Sequence, residues 1–260
     1  MWPSAVTALL DHLLAEQKAI LGPNLVGLYL RGSLALGDFA PETSDVDVCC
    51  IMDQAISSTE FAALAALHAC MFASGQPYSH DLEVAYLPRA SAEYWRPEER
   101  HPTLSRGGGV LDWHTHHENW VLERWAMLHG RSRWFGPEPH TLIAPVSDAQ
   151  LRRAVLHRLQ DWRAFALTPG DPGWSHRGHA VYAAETLCRI AHTLSTGHLS
   201  SKPTAVRWAA ATFPEPWHTL IISLENWRTD PAIDPDLNRQ VQQLILWAAQ
   251  QIDSKSLGAT

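Results

Sequence analysis

Apolar residues in the first half of the chain recur with helical spacing in one segment and form short runs in three others. Residues 6–14 place an apolar side chain every three or four positions, which predicts an amphipathic first helix. Short, mostly apolar runs at 25–30, 46–52 and 82–87 predict three buried strands. Helices and strands therefore alternate, as in an α/β domain.

The segments between and after these strands carry helix and turn signals. Ser57-Ser58-Thr59-Glu60 is a helix-start sequence, and the apolar spacing after it predicts a helix. Residues 91–109 are rich in Pro, Arg, Glu and Gly, so we expect a long loop there. Helical spacing resumes over 120–128.

From Ser147 onward the apolar patterns are helical. Gly197 is expected to end the second of these helices as a C-terminal cap. No strand pattern occurs in this part, so we expect an α/β domain over 1–142 and an all-helical domain over 143–260. The helices are predicted within 151–165, 180–194, 204–211, 216–227 and 235–252.

Composition narrows the class of protein. The chain has 260 residues, which suffices to bury a core without disulfides, and its four cysteines form no CxxC pair. A reducing cytoplasm is the simplest interpretation of these cysteines.

No signal peptide or bilayer-spanning run is visible, so no membrane association is expected. The net charge of −7 argues against nucleic acid as a partner, because phosphates require a basic surface. We expect a cytoplasmic monomer.

The candidate chemistry lies at the ends of predicted strands. Gly32-Ser33 follows the first strand, and Asp45 and Asp47 lie at the start of the second. Residues two apart on a strand point to the same side, so these carboxylates repel each other unless a cation or partner lies between them. Mg²⁺ suits such hard oxygen ligands and leaves positions for substrate phosphates. The Gly-Ser turn permits close backbone approach and offers N–H groups and a hydroxyl to phosphate oxygens.

A third carboxylate, Glu83, lies in the third predicted strand. If that strand lies beside the second, Glu83 completes a triad that binds metal or takes the proton of an attacking hydroxyl. A DxD pair alone is usually surface or turn chemistry. The joint pattern of strand, Gly-Ser, buried DxD and third acid favours a catalytic site.

The stretch from Leu28 to Ser33, with Ser44-Asp45-Val46-Asp47, resembles the signature of polymerase-beta-like nucleotidyltransferases. Within that superfamily the chain is similar to the aminoglycoside adenylyltransferases that modify streptomycin and spectinomycin, and Leu82-Glu83-Val84 matches their third carboxylate. The resemblance covers most of the chain and is poorest over 91–109. It implies a nucleotidyltransferase α/β domain followed by an all-α helical bundle. The second half resembles the family's C-terminal domain at Leu187-Cys188-Arg189-Ile190, Thr196-Gly197, Lys202 and Trp208.

The resemblance also implies roles in the first domain. Ser33, with Gly32, would hold nucleotide phosphate. Asp45 and Asp47 would bind Mg²⁺, and Glu83 would be the base.

In the second domain, the resemblance implies that Lys202 reaches the triphosphate, so that ATP, the co-substrate, binds between the domains. Considered without the resemblance, Lys202 is a solvated loop lysine. Arg189 is either a member of a buried ion pair or a nucleotide contact.

The acceptor residues depart from the family pattern. The position where streptomycin-modifying relatives carry a pocket aspartate is His179 here, and Trp113 is the candidate for the antibiotic-contacting tryptophan. Because aminoglycosides are polycations, their pocket should present carboxylates, for which Asp112, Glu118 and Glu185 are candidates.

Three further histidines lie beside these carboxylates, at His114, His116 and His117. They could bind zinc. Their spacing matches no helical metal-binding pair such as HExxH, so we favour a place in the wall of the acceptor pocket.

The predicted reaction is transfer of AMP from ATP to a hydroxyl of a small cationic acceptor, with release of pyrophosphate. An aminoglycoside such as spectinomycin or streptomycin is the leading acceptor. One alternative is a nucleotidyltransferase of the toxin–antitoxin type that modifies a protein or an RNA. Another is a nucleotide-binding module without catalysis, which the three retained carboxylates disfavour.

Overall fold

The structure, a computed structural model, describes residues 2–168 and 170–257, with the backbone alone at 254–257. The chain divides into two compact units between Val146 and Ser147. The outer limits of the predicted domains, Met1 and Thr260, lie outside the described residues. Within the described part of the chain, no helix is both long and apolar enough to cross a membrane.

One six-stranded sheet forms the centre of the first unit. Its strands are β1 (Leu25–Leu30), β2 (Val46–Met52), β3 (Leu82–Pro88), β4 (Arg100–Leu104), β5 (Leu111–Thr115) and β6 (Arg133–Phe135). Their order across the sheet is β5-β4-β3-β2-β1-β6, with β2 and β3 parallel and the other neighbours antiparallel. The helices are α1 (Ser4–Leu21), α2 (Gly32–Leu36), α3 (Ser58–Ala73), α4 (Arg89–Glu93) and α5 (Asn119–His129).

Helices cover both faces of the sheet, which explains why the central strands are mostly apolar on both faces. Side chains of α1 and α3 pack against one face, and Trp120 and Met127 of α5 pack against the other. Cys49 and Cys50, adjacent on β2, are buried thiols on opposite faces, as expected for small core residues. The first helix and the three predicted strands are confirmed, and Ser57 forms a capping box at the start of α3.

The predicted loop over 91–109 is wrong for part of that segment. The end of α4 and the whole of β4 lie within it, and β4 pairs with β5, which was not predicted as a strand. Polar residues and Pro102 hide the strand alternation of β4 in the sequence. The proline is tolerated because the ladder between β4 and β3 stops at Thr103.

Helices alone make up the described part of the second unit, apart from connecting turns, as predicted. α7 is buried along most of its length and contacts α6, α8 and α10. Gly197 ends α7 in the left-handed conformation of a C-terminal cap. The helices are α6 (Asp148–Ala166), α7 (Arg177–Thr196), α8 (Lys202–Thr212), α9 (Trp217–Ser223) and α10 (Pro235–Leu257).

Candidate active site

Parallel pairing of β2 and β3 brings the three predicted carboxylates together. Asp47 and Glu83 are direct partners in the ladder, so their side chains leave the same face of the sheet on strands about 4.8 Å apart. Asp45 lies directly before β2, two residues before Asp47, and its charge also acts to raise the pKa of Glu83. The predicted triad required the third strand to lie beside the second, and the structure has this arrangement.

Crowding of these carboxylates is visible in the acidity of Glu83. Burial raises the pKa of Glu83 to about 7, and the neighbouring charge of Asp47 acts in the same direction. Arg31 opposes the rise in this pKa. A carboxyl group with this pKa exchanges a proton near neutral pH. This property suits a general base, and it also suits a ligand that loses its proton when a cation binds.

The turn at Gly32 lies directly against Asp47. Gly32 has a φ of +52°, and a Cβ built on it would overlap the Oδ2 atom of Asp47. Only glycine fits this conformation without strain and without displacing the carboxylate. Ser33 follows it in α2 and is half-buried. The Gly-Ser motif and the carboxylates are thus parts of one site.

A buried arginine, which the sequence interpretation missed, holds this turn in place. The Nε atom of Arg31 donates to the Val48 carbonyl at 3.1 Å, and its guanidinium lies 3.8 Å from both Asp47 and Glu123. Glu123, on α5, also accepts the N–H of Gly32 at 3.3 Å. The sequence signal that could have identified Arg31 was a charged residue directly after the apolar strand β1. Its partner on α5, 91 residues after Gly32, could not be identified from spacing.

A second arginine lies at the other side of the carboxylates, on the turn between β4 and β5. The Nη1 atom of Arg106 lies 2.7 Å from Asp45, and its Nη2 atom lies 2.7 Å from Asp81. The backbone N–H of Arg106 points at Glu83 over 3.4 Å. Arg106 falls in the segment that was predicted to be a long loop, and it contacts two of the three carboxylates.

The donor chemistry of the triad fits a divalent cation. Three carboxylates supply hard oxygen ligands, and burial together with the charges of Asp47 and Asp45 raises the pKa of Glu83. Among the residues that the structure describes, however, no three His, Cys, Asp or Glu side chains are grouped so as to hold a metal ion directly. The guanidinium groups of Arg31 and Arg106 share the carboxylate oxygens instead.

The acceptor candidates of the middle segment separate onto two faces of the sheet. Asp112 pairs with Thr103, whose partner is Ala85, so Asp112 lies on the Glu83 face two strands away. Trp113 points to the opposite face and stacks on Phe61 of α3, with ring centroids 5.9 Å apart. The structure therefore does not bring Trp113 to the carboxylates, because successive strand residues alternate between faces.

Glu118 and the histidines lie close to the start of α5. Glu118 is half-buried immediately before the helix, and His114 is exposed on β5. His116 packs on Trp120, and its ring lies 3.1 Å from the Thr103 hydroxyl. Burial, with the charge of Arg31, lowers the pKa of His116 to about 3. His116 is therefore neutral at physiological pH and lies in the wall of the carboxylate face.

Glu185, expected to attract a cationic acceptor, is already paired. It is only 4% exposed and accepts a 2.8 Å hydrogen bond from the Nε atom of Arg228, with a second contact from the same guanidinium. A buried carboxylate needs such a partner, and the pair leaves no anionic surface for a ligand. The place of Glu185 in the acceptor pocket stays a prediction, and in this arrangement Arg228 balances its charge.

His179, Tyr182 and Lys202 form a short row in the second unit. The Lys202 ammonium lies 3.9 Å from the centre of the Tyr182 ring, and that ring is nearly parallel to His179. Lys202 is the first residue of α8 and is half-buried, so it is not a solvated loop lysine. Burial, with the neighbouring His176, lowers the pKa of His179. Arg189 lies half-buried further along α7.

Comparison with known proteins agrees with this geometry. Residues 14–70 match the family model described as a nucleotidyltransferase domain. That segment contains β1, the Gly-Ser turn and the two aspartates of β2. Fold and site together define the chain as a nucleotidyltransferase, and hence as an enzyme.

The second unit and the curated relatives narrow the class. Residues 141–254 match the model described as aminoglycoside adenylyltransferase, C-terminal domain. Spectinomycin 9-adenylyltransferases from two Staphylococcus aureus strains, Mu50 and N315, are 25% identical over 215 residues, covering 78% of this chain and 78% of each relative. Together these matches support an aminoglycoside adenylyltransferase of the nucleotidyltransferase superfamily.

A solved structure has the same fold. The crystal structure of spectinomycin adenyltransferase AAD(9) from Enterococcus faecialis with ATP and spectinomycin superposes with a TM-score of 0.70. The match covers 94% of this chain and 98% of that one at 15% sequence identity.

Proposed function

We propose that this enzyme transfers the adenylyl group of ATP to a hydroxyl of an aminoglycoside-type antibiotic, with release of pyrophosphate. The observation that carries the proposal is the carboxylate triad of Asp45, Asp47 and Glu83 beside the Gly32-Ser33 turn. Two comparisons support it: the curated relatives are spectinomycin adenylyltransferases, and the similar crystal structure contains ATP and spectinomycin.

Glu83 is the proposed base. With a pKa of about 7, it is partly ionised at neutral pH and can accept the proton of the attacking hydroxyl. The hydroxyl oxygen then forms a bond to the α-phosphorus of ATP, and the bond from that phosphorus to the bridging oxygen of the β-phosphate breaks. Pyrophosphate is the leaving group, and the proton remains on Glu83.

Asp45 and Asp47, together with Glu83, are the proposed ligands of Mg²⁺. When bound, the ion would neutralise phosphate charge and align the reacting groups. Arg31 keeps Asp47 and the Gly32 turn in fixed relation through its contacts to Asp47, Val48 and Glu123. This arrangement limits the reorganisation required when nucleotide binds.

Ser33, Lys202 and Arg189 are the proposed nucleotide contacts. The N–H of Gly32 already points at Glu123, so contact with phosphate at this turn falls to Ser33. Lys202 and Arg189 supply positive charge for the triphosphate, as the family resemblance implies. The position of Lys202 at the start of α8, over Tyr182, restricts its conformations and supports a defined role.

Spectinomycin is the acceptor that we favour over streptomycin. Of the three proposed acceptor carboxylates, Asp112 and Glu118 remain, whereas Glu185 is paired with Arg228. His179 is neutral at physiological pH and cannot replace a carboxylate in attracting a polycation. A smaller acceptor with less positive charge tolerates this loss better.

The proposal is tested by incubating the purified chain with Mg²⁺, ATP and single acceptors, and by measuring pyrophosphate release. We expect release that requires spectinomycin, and its loss in the Asp47→Asn variant. Asp53→Asn is a matched control, because Asp53 follows the opposite end of β2 and pairs there with Arg89. If no aminoglycoside stimulates release, the antibiotic assignment fails and a protein or RNA acceptor is favoured. If Asp47→Asn retains full turnover, the site assignment fails.

A further inference from the structure

We propose that Arg106 and a divalent cation compete for Asp45, which makes Arg106 a positioning residue that regulates how the metal site is loaded. The inference rests on the proposed metal site and goes beyond it, because it concerns a residue outside the carboxylate motif. Three observations support it: the contacts of Arg106, the solvent exposure of the Arg106 and Asp45 side chains, and the opposite charges of these groups.

Arg106 divides its guanidinium between two aspartates. Asp81 receives two contacts, from Nε at 3.1 Å and from Nη2 at 2.7 Å, while Asp45 receives one, from Nη1 at 2.7 Å. Asp81 therefore anchors the side chain, and the contact with Asp45 is the one that a competitor can replace. A guanidinium and a metal ion at the same Asp45 oxygen disfavour each other, because both are positively charged and repel at this distance.

Solvent exposure makes the contact with Asp45 exchangeable. The side chain of Arg106 is 48% exposed and that of Asp45 is 32% exposed. The Oδ1 atom of Asp45 is itself buried, so exchange depends on movement of the half-exposed Arg106 side chain. A divalent ion with several carboxylate ligands binds the same oxygens more strongly.

The loop that carries Arg106 connects it to the rest of the triad. Its own N–H points at Glu83, and the next residue, Gly107, donates to the His80 carbonyl at 2.9 Å with a φ of +72°. Asp81, the anchor, directly precedes β3, which carries Glu83. Arg106 can therefore leave Asp45 while it remains held by Asp81, one residue position from the strand of the proposed base.

The experiment is a titration of the full-length chain with Mn²⁺ alone, followed by the electron paramagnetic resonance signal of free Mn²⁺. Arg106→Ala removes the competitor and is expected to bind Mn²⁺ about fivefold more tightly than the parent. Arg106→Lys keeps the charge but loses the fork that bridges both aspartates, so its affinity should lie between the two. Arg89→Ala is the matched control, since Arg89 has the same 48% exposure and pairs with Asp53 at the opposite end of the sheet.

Three results would be informative. Tighter binding in Arg106→Ala, lost again when Asp45→Asn is added, with Arg89→Ala unchanged, supports the competition. Asp45-dependent binding that is equal in the parent and in Arg106→Ala overturns the competition and leaves the metal site standing. Absence of Asp45-dependent binding in both chains overturns the metal site and the inference together.

Discussion

Replacing Glu83 by glutamine should stabilise the fold at alkaline pH while it slows the reaction. Burial, assisted by Asp47, raises the pKa of Glu83 from its ordinary 4.5 to about 7. The folded chain therefore holds a proton on this carboxyl that the unfolded chain releases. The associated stability is complete below pH 4.5 and is lost as the pH rises through about 7.

The magnitude follows from the size of that change. A pKa raised from 4.5 to about 7 corresponds to roughly 3 kcal/mol of free energy lost when Glu83 ionises in the folded chain. Glutamine has nearly the same shape, and its carbonyl can still accept the N–H of Arg106, but it carries no charge. At about pH 8 the Glu83→Gln variant should therefore exceed the parent in stability by up to roughly 3 kcal/mol, and near pH 4.5 the two should agree.

Urea unfolding in the presence of a chelator, at several pH values between about 4.5 and 8, measures this difference. Glu93→Gln, at the exposed end of α4, serves as the control and should match the parent throughout. Turnover of Glu83→Gln should fall by about 10²–10⁴-fold, as is typical of a lost general base. A variant that is no more stable than the parent at alkaline pH would refute the view that burial, assisted by Asp47, raises the pKa of Glu83.

The remaining predictions concern three other positions. Lys202→Ala should weaken ATP binding about tenfold, because a charged contact to phosphate is lost; calorimetry measures this, and unchanged affinity would limit Lys202 to packing on Tyr182. Arg31→Ala should lower the free energy of unfolding by roughly 2–3 kcal/mol, because Asp47 and Glu123 lose their shared cation. Arg31→Lys should recover only part of that free energy. Full stability in the alanine variant would show that Arg31 does not hold the turn. Spectinomycin should be adenylylated faster than streptomycin because His179 is uncharged, and robust streptomycin modification would contradict this reasoning.

The sequence predicted the parts of the site that depend on local pattern. The apolar runs identified β1, β2 and β3, and the alternation of side chains along a strand placed Asp45 and Asp47 on one side. Glu83 required one further condition, that β3 lies beside β2, and the ladder satisfies it. These features need no knowledge of contacts between distant segments.

Other features depend on contacts between segments far apart in the chain. Arg31 and Gly32 both contact Glu123, which lies 92 and 91 positions later in the chain. Glu185 contacts Arg228, which lies 43 positions later. No local pattern indicates such pairs. The face to which Trp113 points could not be predicted because β5 was not recognised as a strand, and without the strand its alternation could not be applied.

The central claim is that this chain transfers an adenylyl group by means of the carboxylate triad. The most direct measurement is transfer of label from ATP carrying ³²P in its α-phosphate to spectinomycin, with the product identified by mass spectrometry. The account predicts a labelled antibiotic that carries one AMP in the parent and none above background in Asp47→Asn, with both proteins folded by circular dichroism. Equal labelling by the two proteins, or no labelled aminoglycoside with the parent, would contradict it.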